Sequence, residues 1–185
     1  MTFEYIDAAS GEILDILDRR DSSINNHFIT HYNLSDRKNA ETVTIDMNAG
    51  YANLIKGVFP KAHINIDRFH LIQLINRSMN KIRIKIMNQF NTSNGEDMKK
   101  YRRLKRYWKL LLKKESDLSL TEYKYYSLFG QRIESAIVQE ILAYDEELKV
   151  NYDLYQNLLR AMNHKDYNAL SDILKKDVRR THQPI

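Results

Sequence analysis

With 185 residues, 43% of them apolar and 29% charged, and only 5 glycines and 2 prolines, the chain has the makings of a packed, largely helical core, which excludes a disordered polymer and a small all-β fold. The absence of cysteine excludes a disulfide framework and a thiolate metal centre, and no window approaches the ~18 apolar residues of a membrane span. The net charge of +5 is segregated: residues 1–76 carry −3, residues 77–114 carry +11 and residues 115–185 carry −3, so the middle of the chain has the electrostatic footprint of a polyanion-binding segment.

Residues 2–8 and 12–17 read as two strands, antiparallel because only Ala9-Ser10-Gly11 joins them. Ser22 is a hydroxyl N-cap for a helix that sets Ile24, Phe28, Ile29 and Tyr32 on one face. A polar linker, residues 33–41, leads to a short branched run at 42–45, the signature of a buried parallel strand, which Asp46 terminates. A helix with Tyr51, Leu54, Ile55 and Val58 on one face stops before Pro60. The next strand, residues 63–66, ends at Asp67.

Beyond His70 nearly everything reads as helix. Leu71, Ile75, Met79, Ile82, Ile86 and Phe90 form an apolar stripe with Arg77, Lys81 and Lys85 on the far side. After a loop at 91–95, Tyr101, Leu104, Trp108 and Leu111 oppose a row of Lys99, Arg102, Arg106, Lys109 and Lys113. That spacing puts Tyr101 and Trp108 in the core, and the eight cations are candidate DNA contacts or, equally, an ordinary solvated helix exterior. Further helices are predicted over residues 121–129, 132–160 with a break, and 166–175, while residues 178–185 show no periodicity.

Asp46 and Asp67 stand at the carboxyl ends of neighbouring strands, where open α/β sheets gather ligands. Two such carboxylates offer hard oxygens to Mg²⁺ or Mn²⁺, and paired ions of this kind serve phosphoryl transfer. Strand-end aspartates also cap the helices that follow them, and residue type does not separate the two roles. His27 and His31, four apart on one helix, lack the acid that would complete a His-Glu-x-x-His metal motif. No Gly-rich phosphate loop or nucleophile elbow is present.

The run Val43-Thr-Ile-Asp46-Met with Tyr51, followed by Phe59-Pro60-Lys-Ala and Asp67-Arg68-Phe69-His70, resembles the DDE transposases of the bacterial ISL-three insertion sequences. Leu110-Leu-Leu-Lys-Lys, Asp117-Leu-Ser-Leu-Thr-Glu and Ala143-Tyr144 are similar to that family's helical insertion, and the likeness spans residues 2–176. It implies α/β followed by mainly α structure: a partial RNase H-like core over residues 1–70, a large helical insertion over 71–177 and a disordered or frameshifted tail over 178–185. It also implies an enzyme of DNA transposition in which three acids hold two Mg²⁺ or Mn²⁺ ions, water cuts DNA, and the released hydroxyl attacks target DNA. By the same resemblance Asp46 is the catalytic, metal-binding acid, and Asp67 and His70 have a supporting role.

The resemblance predicts a third strand before the first helix and a distant Glu, and neither has a counterpart here. Asp7 lies at a hairpin turn, and Asp15 and Asp18 read as ordinary exposed acids. Glu134, Glu140, Glu146 and Glu147 read as solvated helix faces of the insertion. The chain is accordingly expected to be a truncated transposase, inactive alone. The alternative is a non-catalytic DNA-binding or oligomerising remnant, partnering DNA and a second copy or a full-length transposase; a decayed element with no selected function is the third reading. With neither a leader nor a span in view, the expected location is the cytoplasm.

Overall fold

The computed structural model describes residues 3–18, 23–46 and 49–181. Ser22, read above as a helix cap, Met47 of the Asp-Met pair, and residues 182–185 lie outside them. The chain divides into two compact units, Met1–Leu71 and Ile72–Ile185.

In the first unit β1 (Phe3–Ile6) and β2 (Ile13–Leu17) pair antiparallel, from Phe3 beside Leu17 to Ile6 beside Ile13, with a slip between Tyr5 and Ile6. Asp7 builds the turn: its Oδ1 accepts from Ala9 N–H, Ser10 N–H and the Ser10 hydroxyl at 2.7–3.0 Å, and Gly11 closes the loop at φ +74°. An Asx turn of this kind uses up the carboxylate. Asp15 is no ordinary exposed acid, because Tyr5 is its register partner and its Oδ2 lies 3.3 Å from His27 Nε2 on α1 (Ser23–His31).

The apolar stripe of α1 buries Ile24 and Phe28, which cluster with Val58 of α3 (Ala49–Val58) and are flanked by Phe3, Tyr5, Leu17, Tyr51 and Phe59. Each fully buried side chain of this size contributes about 1.5–3 kcal/mol. The expected linker contains a short helix instead, α2 (Leu34–Asn39), which Asn33 caps by accepting from Asp36 N–H. From α2, Arg37 donates to the Val58 carbonyl at 2.8 Å and the Tyr32 carbonyl at 3.2 Å, closing off the ends of α1 and α3. β3 (Thr42–Ile45) and β4 (His63–Ile66) flank α3 in sequence and pair parallel, giving a β-α-β unit. Among the described residues every sheet is two-stranded.

The second unit is built around α4 (Arg68–Gln89), α5 (Gly95–Arg106), α7 (Glu134–Leu142) and α8 (Glu146–Asn163), with α9 (Tyr167–Thr181) against α8. Met79, Ile86, Leu104, Leu111, Ile137, Ile141 and Leu148 form its buried centre. Polar groups inside it are matched. Tyr155 hydroxyl reaches Asn76 Oδ1 and the Leu112 carbonyl, both at 2.8 Å, and buried Gln156 donates to the Lys113 carbonyl while accepting from Glu115 N–H.

Three sequence expectations are corrected in this unit. The helix expected to run through Trp108 breaks at Tyr107, so Trp108 starts the separate turn α6 (Trp108–Leu111) and is 36% exposed rather than buried in the core. The helix expected over residues 121–129 is a hairpin of β5 (Lys124–Tyr126) and β6 (Gly130–Arg132), turned by Gly130 at φ +71°. The unstructured tail expected from Val178 is helical as far as Thr181.

Candidate functional site

β3 and β4 run in register, Thr42 beside His63 and Ile45 beside Ile66. Asp67 N–H then donates to the Ile45 carbonyl at 2.8 Å, extending the ladder by one rung and bringing Asp46 and Asp67 to the same level at its carboxyl end. Asp46 is half-buried there. A parallel pair joined through a helix places successive strand ends on one side, so the shared level follows from the β-α-β topology.

The two acids are engaged differently. Asp67 stands at the Ncap of α4: its Oδ1 accepts from Phe69 N–H and its Oδ2 from His70 Nδ1–H, both at 2.8 Å. The Phe69 N–H, seconded by the His70 ring, holds the Asp67 carboxyl below the usual range. The helix N-terminus favours the same charged form. With Nδ1 engaged, His70 keeps Nε2 as the ring nitrogen open to a further partner.

This donor set only partly fits a divalent cation. Such an ion takes six or more oxygens, and here both oxygens of Asp67 already accept N–H groups. Among the described residues no three His, Cys, Asp or Glu side chains gather closely enough to hold a metal. His27 and His31 stack at 4.1 Å between ring centroids, but His31 Nδ1 turns to the His27 carbonyl at 3.0 Å while His27 Nε2 meets Tyr5 and Asp15. They tie α1 to the hairpin.

The candidate DNA contacts divide into two groups. Lys85, Lys99 and Lys113 have carboxylate partners, Glu147, Glu96 and Glu134 respectively, each at 2.7 Å. The Lys113 pair is the most sheltered, because Glu134 is buried and not on the solvated face expected for it. Burial of Glu134 pushes its carboxyl up, yet the Lys113 ammonium and Ser119 N–H outweigh this and hold it below its usual value. Arg77 is exposed and donates to Gln73. Lys81, Arg102, Arg106 and Lys109 are exposed and carry no ion pair among those found in the described residues; Lys109 lies over the Trp108 ring.

Other cations of the basic segment serve the fold. Buried Arg83 donates to the Leu104 carbonyl at 2.9 Å. Arg103 donates to the Leu128 carbonyl, Glu140 and the Tyr144 hydroxyl, and lies 4.3 Å from the Phe129 ring centroid. Its position four residues before Tyr107, toward the apolar side of the helix, is the sequence signal for that structural role. Lys105, exposed and over the Tyr101 ring, joins the surface cations that sequence reasoning did not single out.

A family model described as a transposase, that of the DDE enzymes of ISL-three insertion sequences, matches residues 1–184. No curated protein and no solved structure gives a significant match.

Proposed function

The chain belongs to the DDE transposases of the ISL-three type, and from that premise we propose that Asp46 is one of the metal-binding acids of DNA strand transfer. Asp67 and His70 fix the strand end and the helix start beside it. The family works on DNA with divalent metal ions; the ion proposed here is Mg²⁺ or Mn²⁺, which hard carboxylate oxygens suit. The observation that carries this reading is the level placement of Asp46 and Asp67 at the end of the β3–β4 ladder. The same β-α-β unit, preceded by an antiparallel hairpin, supports reading Met1–Leu71 as part of an RNase H-like core and Ile72–Ile185 as the helical insertion.

Asp46 is the one acid of the expected three with a counterpart in this sequence, so the 185-residue chain by itself is expected to bind the ion weakly and to lack strand transfer. Titrating Mn²⁺ into the isotope-labelled protein should broaden NMR signals around Asp46 at millimolar-scale metal, and Asp46→Asn should abolish this. Broadening that is unchanged in the variant would remove Asp46 from the site. Robust Mg²⁺-dependent strand transfer lost in Asp46→Asn would overturn the inactivity. The unpaired cations of α5 and α6 favour a second reading, in which the chain binds DNA without cutting it.

A further inference from the structure

Tyr123 and Tyr125 are 69% and 73% exposed, whereas Tyr126 turns inward, its ring 5.7 Å from that of Tyr107. Because side chains alternate across a strand, Tyr125 stands on the face opposite Tyr126, and Tyr123, two residues earlier, falls on the same side as Tyr125. The hairpin that carries them is firmly docked. Arg103 donates twice to the Leu128 carbonyl, and the Tyr107 hydroxyl accepts from Leu128 N–H at 3.2 Å. The ring pair is therefore held against the last turn of α5, the helix that also presents Arg102 and Arg106 to solvent.

We propose that the outer face of the β5–β6 hairpin receives unpaired bases of a DNA strand, with Tyr123 and Tyr125 as stacking surfaces and the α5 cations holding the adjoining phosphates. Residues two apart on a strand are separated by about 6.6 Å, roughly twice the ~3.4 Å spacing of stacked bases, so one base fits between the two rings. Stacking of this kind is tolerant of sequence, since every base has a π-face. A base inside a duplex already has both faces covered, so the surface selects frayed, tailed or single-stranded DNA. Cations beside exposed rings suit this occupant better than an apolar protein segment, which would leave the guanidinium groups unmatched.

The proposal rests on the reading that α5 contacts DNA, and the test separates the two. Binding of the full chain is measured by fluorescence anisotropy to a blunt duplex and to the same duplex with an unpaired tail carrying 2-aminopurine. Replacing Tyr123→Ala together with Tyr125→Ala should weaken binding to the tailed DNA by about tenfold or more and remove the 2-aminopurine quenching. Blunt-duplex affinity should stay unchanged, and Tyr123→Phe with Tyr125→Phe should keep both signals, because stacking does not need the hydroxyl. An alanine pair that binds tailed DNA as the parent does, or that loses blunt and tailed DNA equally, overturns the stacking surface and leaves the α5 reading standing. If Arg102→Ala with Arg106→Ala leaves duplex affinity and salt dependence untouched, the α5 reading itself fails.

Discussion

Asp67 shows how one residue can look catalytic in sequence and carry a structural duty in the fold. Its carboxylate accepts the Phe69 N–H and the His70 ring N–H at the start of α4, the same interactions that hold its pKa down. Because the folded value lies below the unfolded one, the stabilisation is complete above the ordinary aspartate range and is lost as pH falls through the folded value. An NMR titration of the Asp67 carboxyl carbon should therefore show it deprotonating below the ordinary ~3.9. His70→Ala should move that midpoint upward without restoring it fully, because the Phe69 N–H remains. An unmoved midpoint would mean that His70 does not hold the carboxylate.

At the scale of the element, the β5–β6 hairpin and the break at Tyr107 explain each other. A helix continued past Arg106 would have carried Trp108 into the core; instead Tyr107 turns to the hairpin, its ring 5.3 Å from Phe129 and its hydroxyl 3.2 Å from Ser127 Oγ. The turn requires Gly130 at φ +71°, where an added Cβ would meet nothing within 4 Å. Gly130→Ala should thus cost about 1–2 kcal/mol of unfolding free energy, from the left-handed backbone alone. Urea denaturation measures it; no loss would show that the hairpin turn relaxes without strain. The hairpin segment is ambiguous in sequence because Leu-Ser-Leu-Thr-Glu-Tyr-Lys-Tyr-Tyr fits either period, and the docking of Leu128 and Phe129 on Arg103 decides between them.

At the scale of the whole chain, the charge block of residues 77–114 separates into working and structural cations only once the fold is known. Lys85 is matched by Glu147, while Arg102, Arg106 and Lys109 face solvent. If the latter three touch phosphates, replacing all three with Ala should lower the slope of log affinity against log salt on duplex DNA by about 0.9 for every phosphate left without its cation. Lys85→Ala should leave that slope nearly unchanged. Equal effects of the two substitutions would mean that the net charge of the segment, and not this face, attracts DNA.

The sequence by itself determined the hairpin, the β-α-β unit, the family and the placement of Asp46 and Asp67 at strand ends, because alternation, branched runs and helical spacing are local signals that survive without tertiary context. Only the tertiary structure decided that Asp67 caps a helix, that Arg83 and Arg103 belong to the core while Arg102 and Arg106 do not, and that residues 124–132 pair as strands. Those outcomes depend on partners distant in the chain, such as Leu104 for Arg83 and Leu128 for Arg103, and no local period encodes which carbonyl a guanidinium will find.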